Sequence, residues 1–411
     1  MIPYHFTCIL CGEEYDPETT RYVCPKHGDE GILDTVYDYK RLSATTSPQS
    51  VSASRDFSIW RYAPLLPVQN ARDSAPPLQV GWTPLYRSTT LGAKLGLRNL
   101  FFKDDGRNPT ASLKDRASAV VVACARELGV KVITTASTGN AGAALAGLAA
   151  AAKMPAVIFV PQTAPQAKIV QLLIFGARIL LVRGTYDQAF DLCLQASKEF
   201  GWYCRNTGFN PYTVEGKKTA ALEICEQLGW KAPDVIFASV GDGNIISGLW
   251  KGLRDLMALG WIDHMPKLIG VQAEGSAACY HAWNKGTEHI TAINAQTVAD
   301  SISADLPRDG VRAIRAVRET GGVYLTVTDE EILSAIPEIA RGEAIFSEPA
   351  ASAAYSGLKK AVRQGLVNPE ETVVCLLTGN GLKDIGSAMK VAGEGTIIDP
   401  TMEAVKRLKF T

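Results

Sequence analysis

A lysine stands at a loop-to-helix junction in the segment Asn108-Pro109-Thr110-Ala111-Ser112-Leu113-Lys114-Asp115-Arg116. The apolar residues 117–128 that follow predict a buried helix, which Ser112 caps and Gly129 ends. Lys114 then lies at the edge of an apolar core and near a positive helix end, and both effects favour its neutral amine. A neutral lysine amine is the nucleophile that forms a Schiff base with an aldehyde. Taken alone, such a motif more often marks a surface lysine, so the remaining chain must decide its meaning.

The length and the charge of the chain limit the classes of function that it can have. Its 411 residues suggest roughly two or three domains of about 150 residues each. Lysine plus arginine and aspartate plus glutamate both number 42, so the net charge is zero, which argues against a nucleic-acid partner. The longest apolar stretch, residues 141–152, is too short to cross a bilayer, so no membrane partner is expected.

The N-terminus and the cysteines favour a cytoplasmic location. The start, Met1-Ile2-Pro3-Tyr4-His5, has neither the basic region nor the apolar core of a signal peptide. Most of the cysteines occur singly in apolar patterns, as expected of reduced and buried thiols. Reduced thiols are typical of the cytoplasm.

The remaining three cysteines and His27 form two pairs near the N-terminus that suit a metal ion. Cys8 and Cys11 have two residues between them, as do Cys24 and His27, and twelve residues separate the pairs. This spacing is typical of a tetrahedral zinc site in a small ribbon. Such a closed site would be structural, because it leaves no coordination position for a substrate. A ribbon that folds without metal is the alternative.

From residue 132 onward, strand and helix patterns alternate along the chain. The predicted strands are continuous apolar runs at residues 132–135, 156–160, 178–182, 235–240, 268–271 and 373–377. Continuous apolar strands separated by helices are typical of α/β proteins with parallel sheets. Ligands of such proteins bind at the carboxyl ends of the strands, where the following turns lie.

The first of three strand-to-helix turns predicts a site for a carboxylate. Gly139 allows a ligand to approach the backbone, and free N–H groups at a helix start bind anions. Ser137, Thr138 and Asn140 add side-chain hydrogen-bond donors. An ordinary polar helix cap explains this turn equally well when it is considered alone.

The second turn predicts a site for a phosphate. Between its strand and its helix lie Gly241, Asp242, Gly243, Asn244 and Ile245. Glycine-rich loops in this position bind phosphate groups, but Ile246 occupies the third glycine of the dinucleotide fingerprint. A small phosphorylated cofactor is therefore expected rather than a nucleotide, although the carboxylate of Asp242 is unfavourable beside a phosphate.

The third turn follows the last strong strand and presents the neutral hydroxyl of Thr378. Together with Lys114, the turns supply an amine, a carboxylate site, a phosphate site and a hydroxyl. Pyridoxal 5'-phosphate and an amino acid need this set, since the cofactor has an aldehyde, a phosphate and a ring nitrogen. The sequence therefore predicts a pyridoxal-phosphate enzyme that acts on a small amino acid.

The sequence resembles the fold-type II pyridoxal-phosphate enzymes, the group of the tryptophan synthase β chain, and within them the threonine synthase family. The resemblance runs from about residue 60 to residue 384. It is carried by the motifs at residues 60–62, 108–116, 137–140, 215–219, 348–350 and 378–384. It implies an α/β fold of two doubly wound parallel-sheet domains, preceded by a zinc-ribbon-like segment.

The resemblance also implies how the chain is divided. A large domain that binds the cofactor phosphate comprises residues 36–114 and 204–411. A small mobile domain comprises residues 115–203, and the zinc-ribbon-like segment comprises residues 1–35. We expect a homodimer, although the sequence leaves the oligomeric state open.

The family pattern assigns roles to individual residues. Lys114 forms the Schiff base with the cofactor, Asn140 bonds the cofactor 3-hydroxyl, and Thr378 faces the ring nitrogen. The loop 241–245 binds the cofactor phosphate, and the turn 137–140 binds the substrate carboxylate. Lys103 matches the set that binds the phosphate of O-phosphohomoserine, which the family converts with water to threonine and phosphate.

Several positions depart from that pattern and leave the substrate open. Ala141 stands where a threonine is usual, Thr213 where an arginine is usual, and Gly208 where a serine is usual; Asn380 replaces a histidine. Threonine synthase therefore competes with a threonine or serine dehydratase and with a β-replacement or ammonia-lyase enzyme, whose substrates lack the γ-phosphate. A non-catalytic binding protein fits less well, because a protein that had lost catalysis would be expected to lack Lys114. A nicotinamide oxidoreductase fits less well because it needs a glycine where this chain has Ile246.

Overall fold

The computed structural model describes residues 4–408 and shows an α/β protein with three sheets. Residues 1–3, part of the N-terminal sequence considered for a signal peptide, lie outside the described residues, as do residues 409–411. No helix within residues 4–408 is long and apolar enough to cross a membrane.

The strands are numbered in chain order. They are β1 Tyr4–Cys8, β2 Glu14–Tyr15, β3 Leu33–Tyr37, β4 Leu85–Arg87, β5 Asn99–Asp104, β6 Ile133–Ala136, β7 Ala156–Pro161, β8 Arg178–Val182, β9 Tyr203–Cys204, β10 Val235–Ser239, β11 Lys267–Ala273, β12 Tyr324–Val327 and β13 Thr372–Leu377. All six strands predicted from apolar runs are confirmed within one or two residues, and they are β6, β7, β8, β10, β11 and β13.

The helices are numbered in the same way. They are α1 Tyr39–Thr45, α2 Pro48–Ser52, α3 Ala71–Ser74, α4 Thr90–Leu95, α5 Lys114–Glu127, α6 Asn140–Ala151, α7 Gln166–Ile174, α8 Tyr186–Phe200, α9 Tyr212–Gln227, α10 Asn244–Ala258, α11 Ala278–Asn284, α12 Gly310–Glu319, α13 Asp329–Glu343, α14 Pro349–Arg363, α15 Ile385–Met389 and α16 Met402–Lys406.

The largest sheet has six strands in the order β12-β11-β10-β13-β5-β4, all parallel except β4. Its strands are apolar on both faces. Ile236 and Ala238 of β10 pack into one core with α9, α10 and α12, whereas Val235 and Phe237 pack into another with α13 and α14. Because successive side chains of a strand point to opposite faces, this sheet is covered by helices on both sides.

The second parallel sheet has four strands in the order β8-β7-β6-β9. Ile158 and Val160 of β7 pack towards α5 and α6, whereas Val157 and Phe159 pack towards α8. This sheet is therefore covered on both sides as well, and the predicted pair of doubly wound domains is confirmed.

A small antiparallel sheet in the order β2-β1-β3 lies at the N-terminus. Its aromatic side chains join the cores of the larger sheets. Phe6 of β1 packs in the core that contains α5 and α6, and Tyr37 of β3 packs in the core that contains α9 and α10. The predicted domain boundaries at residues 35/36, 114/115 and 203/204 remain a prediction.

The start of α5 differs from the sequence prediction. The prediction that Ser112 caps α5 is wrong, because the N-cap is Leu113 and the Ser112 hydroxyl makes no hydrogen bond with described residues. Leu113 instead donates its N–H to the carbonyl of Thr378 at 2.8 Å. The segment before Lys114 is therefore held by the turn after β13, which brings two of the sequence motifs together.

Candidate active site

A cavity of about 490 Å³ lies where the turns after β6 and β10 meet the start of α5. Lys114, the turn 137–140 and the loop 241–245 all line it. The carboxyl ends of two different sheets thus converge on the lysine, as α/β proteins arrange ligand sites. The sequence predicted that these motifs form one site, and the structure adds how the two sheets are arranged around it.

Lys114 is the first residue of α5 and lies in the cavity wall. Burial lowers its pKa, the positive charge of Arg205 acts in the same direction, and the carboxylate of Glu348 opposes both. The lysine thus has a larger neutral fraction at a given pH than an exposed lysine. A neutral amine in a ligand-sized cavity is suited to attack an aldehyde.

The turn 137–140 presents the backbone N–H groups of a helix start to the cavity. Gly139 is the N-cap of α6, and no side chain within the described residues caps it. An added Cβ at Gly142 would lie 2.2 Å from the carbonyl oxygen of Ser137, so only glycine allows this tight turn. The free N–H groups of the first turn of α6 can therefore bind a carboxylate.

Asn140 is held by a buried glutamate that the sequence analysis did not assign. Its Nδ2 donates to Glu348 Oε1 at 2.8 Å and to Oε2 at 3.1 Å. Glu348 is 4% exposed, and burial raises its pKa, whereas Asn140 and Lys114 lower it. The pair fixes the orientation of the Asn140 amide beside Lys114.

The glycine loop has the shape of a phosphate site. Gly243 has a φ of 89°, and an added Cβ at Gly241 would lie 2.7 Å from the Cα of Ile302. Helix α10 begins directly after Gly243, so its free N–H groups face the cavity. Both the backbone shape and the helix dipole favour a bound phosphate.

Asp242 lies within this loop and lines the cavity. Its carbonyl oxygen accepts the N–H of Asp309 at 2.9 Å. Burial lowers the pKa values of Lys114, Arg205 and Lys217, and the carboxylate of Asp242 opposes that lowering. The negative charge of Asp242, which is unfavourable beside a phosphate, is therefore partly offset by basic side chains of the same cavity.

Two buried cations in the cavity wall were missed by the sequence analysis as site residues. Arg205 follows β9 and is 1% exposed; its Nε donates to Ser118 Oγ at 3.3 Å and its Nη1 to Thr207 Oγ1 at 2.9 Å. Its Nη2 has no hydrogen-bond partner among the described residues. Burial lowers the pKa of Arg205 to about 10, so it stays charged at neutral pH.

The second missed cation is Lys217 of α9, which is 1% exposed. Its Nζ donates to Asn244 Oδ1 at the start of α10. Burial holds its pKa well below the ordinary value, and Lys114 and Arg205 add to the effect. Neither Arg205 nor Lys217 forms a salt bridge within residues 4–408, so an anionic ligand would stabilise the charge of Arg205 and favour the protonated form of Lys217.

The prediction that Lys103 binds a substrate phosphate is wrong. Its Nζ is fully buried and donates to the Thr83 carbonyl at 2.7 Å, to Glu223 Oε2 at 2.7 Å and to Gln227 Oε1 at 2.9 Å. These partners saturate the ammonium away from the cavity lining. Lys103 therefore belongs to a buried ion cluster behind the site.

Thr378 lies at the end of β13, is 6% exposed and adjoins the segment before Lys114. It is not among the residues that line the described cavity. Its assignment to the cofactor ring nitrogen stays a prediction.

The four predicted metal ligands are brought together. One ligand atom each of Cys8, Cys11, Cys24 and His27 lies within 4.8 Å of the others. His27 Nδ1 is 3.4 Å from Cys24 Sγ and 3.8 Å from Cys8 Sγ. A tetrahedral zinc ion with usual bond lengths needs sulfur–nitrogen separations of about 3.5 Å, so the donor set fits zinc.

Comparison with known proteins identifies the family. Residues 77–379 match the model of the family described as pyridoxal-phosphate dependent enzyme. The chain is 40% identical to threonine synthase of Methanosarcina acetivorans, with 99% of each chain covered. It is 38% identical to threonine synthase of Methanocaldococcus jannaschii, with 98% of each covered.

Solved structures with lower identity agree on the fold. Diaminopropionate ammonia lyase from Escherichia coli, in complex with an aminoacrylate intermediate, gives a TM-score of 0.66 at 19% identity, covering 84% of this chain and 94% of that one. Threonine deaminase isoform 2 from Solanum lycopersicum gives 0.64 at 23% identity, covering 76% and 84%. The chain belongs to the pyridoxal-phosphate dependent enzyme family and, within it, is a threonine synthase-like lyase.

Proposed function

We propose that this enzyme converts O-phosphohomoserine and water to threonine and phosphate. The observation that carries the proposal is the pair of buried basic side chains, Arg205 and Lys217, which have no carboxylate partner within residues 4–408 and which a phosphate dianion would hold in their charged forms. A cofactor phosphate needs one cationic site. A second cation beside Lys114 suits a substrate that carries a phosphate of its own.

The residues present fit pyridoxal phosphate. Lys114 offers a partly neutral amine, and the loop 241–245 offers a cradle that a single Cβ would fill. Arg205 offers a donor, Nη2, that has no partner among the residues the structure describes. We assign the cofactor phosphate to the loop and to Lys217, because Lys217 is bonded to Asn244 at the start of α10. When bound, pyridoxal phosphate supplies an electron sink for carbanions at the substrate.

The chain's own residues position the substrate. The N–H groups at the start of α6, with Ser137 and Thr138, bind its carboxylate. Lys114 Nζ removes the α-proton, since it lines the same cavity as this turn and its lowered pKa favours the neutral amine that a base must have. Asn140, held by Glu348, fixes the cofactor ring at its 3-hydroxyl. We also retain the proposal that Thr378 faces the ring nitrogen of the cofactor.

We assign the substrate phosphate to Arg205, and the departures from the family pattern support this. Thr213 is 1% exposed and donates its hydroxyl to the Asn210 carbonyl, so it is not free to bind a ligand. Gly208 has a φ of 79°, and a Cβ there would lie 2.9 Å from the Cβ of Arg308. Arg308 and Arg205 both line the cavity and supply the positive charge that these positions lack.

The test is a matched assay of released phosphate and formed threonine from O-phosphohomoserine. Equal steady-state amounts of the two products are the expected result. The alternative function, a dehydratase or β-replacement enzyme, is favoured by Ala141 and Thr213 and would act on threonine, serine or diaminopropionate. Turnover of one of those substrates, together with no spectral response to O-phosphohomoserine, would replace the proposal.

We further propose that the enzyme is a cytoplasmic homodimer with one structural zinc ion per chain. Exposed apolar residues of α7, including Leu173 at 52% and Ile174 at 79%, support an interface between copies. The donor set Cys8, Cys11, Cys24 and His27 supports the zinc ion. Light scattering gives the oligomeric state, and metal analysis of protein purified without chelators gives the zinc content.

A further inference from the structure

Helix α12 touches the glycine loop of the cavity directly. An added Cβ at Gly243 would lie 2.7 Å from the Cβ of Ala313 and 2.8 Å from the carbonyl oxygen of Asp309. The N–H of Asp309, just before α12, donates to the carbonyl of Asp242. A shift of the first turn of α12 therefore changes the shape of the loop that we assign to the cofactor phosphate.

The same helix is bonded to the N-terminal sheet at two points. Arg315 Nη1 donates to the carbonyl of Ile9 at 2.6 Å, and Ile9 lies in the turn between Cys8 and Cys11. Arg312 Nη1 donates to Asp34 Oδ1 of β3 at 3.1 Å. Both contacts lie on the first two turns of α12, close to the end that meets the glycine loop.

A continuous buried chain of ion pairs and hydrogen bonds joins β3 to α10. Arg312 donates from Nε to Asp309 Oδ1 at 2.9 Å and from Nη2 to Oδ2 at 3.0 Å. Asn244 Nδ2 donates to the same Asp309 Oδ2 at 2.6 Å. Asp309 is fully buried and Arg312 is 2% exposed, so removing one partner leaves an uncompensated buried charge.

The N-terminal sheet needs a further constraint to hold these contacts. It consists of three short strands, of which β2 has two residues. A sheet of this size gains much of its stability from a metal ion when it binds one. The ligands Cys8 and Cys11 flank Ile9, so the ion would fix the carbonyl that Arg315 binds.

We propose that the ion bound by Cys8, Cys11, Cys24 and His27 holds α12 against the glycine loop and thereby sets the cavity's affinity for its phosphate-bearing cofactor. The proposal rests on the cofactor site and the zinc site proposed above. It gives the N-terminal segment a part in cofactor binding, although none of its residues lines the described cavity.

The first experiment compares full-length enzyme with and without its metal. Zinc is removed from cofactor-free protein with a chelator and measured by mass spectrometry, and pyridoxal phosphate is titrated while the absorbance of the lysine-bound cofactor is recorded. We expect loss of zinc to raise the dissociation constant at least tenfold and to speed hydrogen exchange in residues 305–319. Zinc-free protein with an unchanged constant, or protein that never holds zinc, overturns the inference. Zinc-loaded protein that binds no pyridoxal phosphate overturns the proposed function as well.

The second experiment breaks the link without touching the metal ligands. Arg315→Ala and Asp34→Asn should keep zinc but weaken cofactor binding by about fivefold or more, and Asp34→Glu should restore it. Arg318→Ala is the matched control, because Arg318 lies on the same helix and is 41% exposed. If Arg315→Ala and Asp34→Asn bind zinc and cofactor as the wild type does, α12 does not transmit the effect.

Discussion

Replacing Arg205 by methionine separates substrate binding from cofactor binding. Methionine keeps much of the apolar length of the side chain but removes its charge and its donors. Arg205 makes two hydrogen bonds to neutral hydroxyls, and its Nη2 has no partner among residues 4–408, so the fold loses little when the guanidinium is removed. We therefore expect the melting temperature to change by only a few degrees.

The main expected effect is weaker binding of the substrate phosphate. A guanidinium can give a phosphate two charge-assisted hydrogen bonds, each contributing about 1.5–3 kcal/mol. Losing both removes about 3–6 kcal/mol, which corresponds to a fall of roughly 10²–10⁴-fold in kcat/KM for O-phosphohomoserine. Arg205→Lys keeps the charge without the paired donors and should lie between the wild type and Arg205→Met.

The assay measures kcat/KM by phosphate release and the cofactor dissociation constant by absorbance, on the same preparations. A large fall in kcat/KM with a cofactor constant within about twofold of the wild type is the predicted pattern. If the cofactor constant rises as much as kcat/KM falls, Arg205 binds the cofactor phosphate instead. If kcat/KM stays within fivefold of the wild type, no substrate phosphate is bound at Arg205.

Three further changes test the site and its surroundings. Lys114→Ala should abolish turnover, and borohydride reduction of the wild type followed by peptide mapping should find the cofactor on Lys114 and on no other lysine. Lys217→Met should weaken cofactor binding by about 1.5–3 kcal/mol, measured as at least a tenfold rise in the dissociation constant, and a change confined to the KM for substrate would count against its assignment. Glu223→Gln should lower the free energy of unfolding by about 3–5 kcal/mol in urea at neutral pH, because it leaves Lys103 without its charge partner. Burial acts to raise the pKa of Glu223, but Arg116 and Lys103 hold it at about 2, so this difference from the wild type should be full above the ordinary value of 4.5 and shrink as the pH falls towards 2.

Sequence patterns predicted the parts of this protein that depend on local periodicity. Strands β6, β7, β8, β10, β11 and β13 are continuous apolar runs, and the turns after β6 and β10 contain the glycines that a close ligand approach requires. Such features are set by neighbouring residues. They are therefore visible in the sequence before the relative placement of the sheets is known.

The parts that escaped prediction depend on contacts between distant segments. Arg205 follows β9, a strand of two residues that is too short to show a periodic pattern. Its orientation depends on a hydrogen bond to Ser118 of α5, which is distant in the sequence. The sequence predicted that Lys103 binds a substrate phosphate, but its ammonium instead donates hydrogen bonds to Glu223 and Gln227 of α9. Ser112 has the residue type of a cap, yet the turn after β13 fixes the preceding backbone so that Leu113 takes that position.

The buried cluster around Arg116 has a consequence for the predicted mobility of the small domain. Arg116, two residues beyond Lys114, donates from Nε to Asp105 Oδ2 at 2.7 Å and from Nη1 to Glu223 Oε1 at 2.6 Å. These bonds anchor the lysine-bearing turn to the large sheet and to α9. Crystal structures with and without ligand should therefore superpose on residues 103–116, and any displacement between them should be confined to the turn 137–140 and its own sheet. The lysine would then be a fixed reference point, and the predicted mobility of residues 115–203 would act by bringing the substrate carboxylate to it.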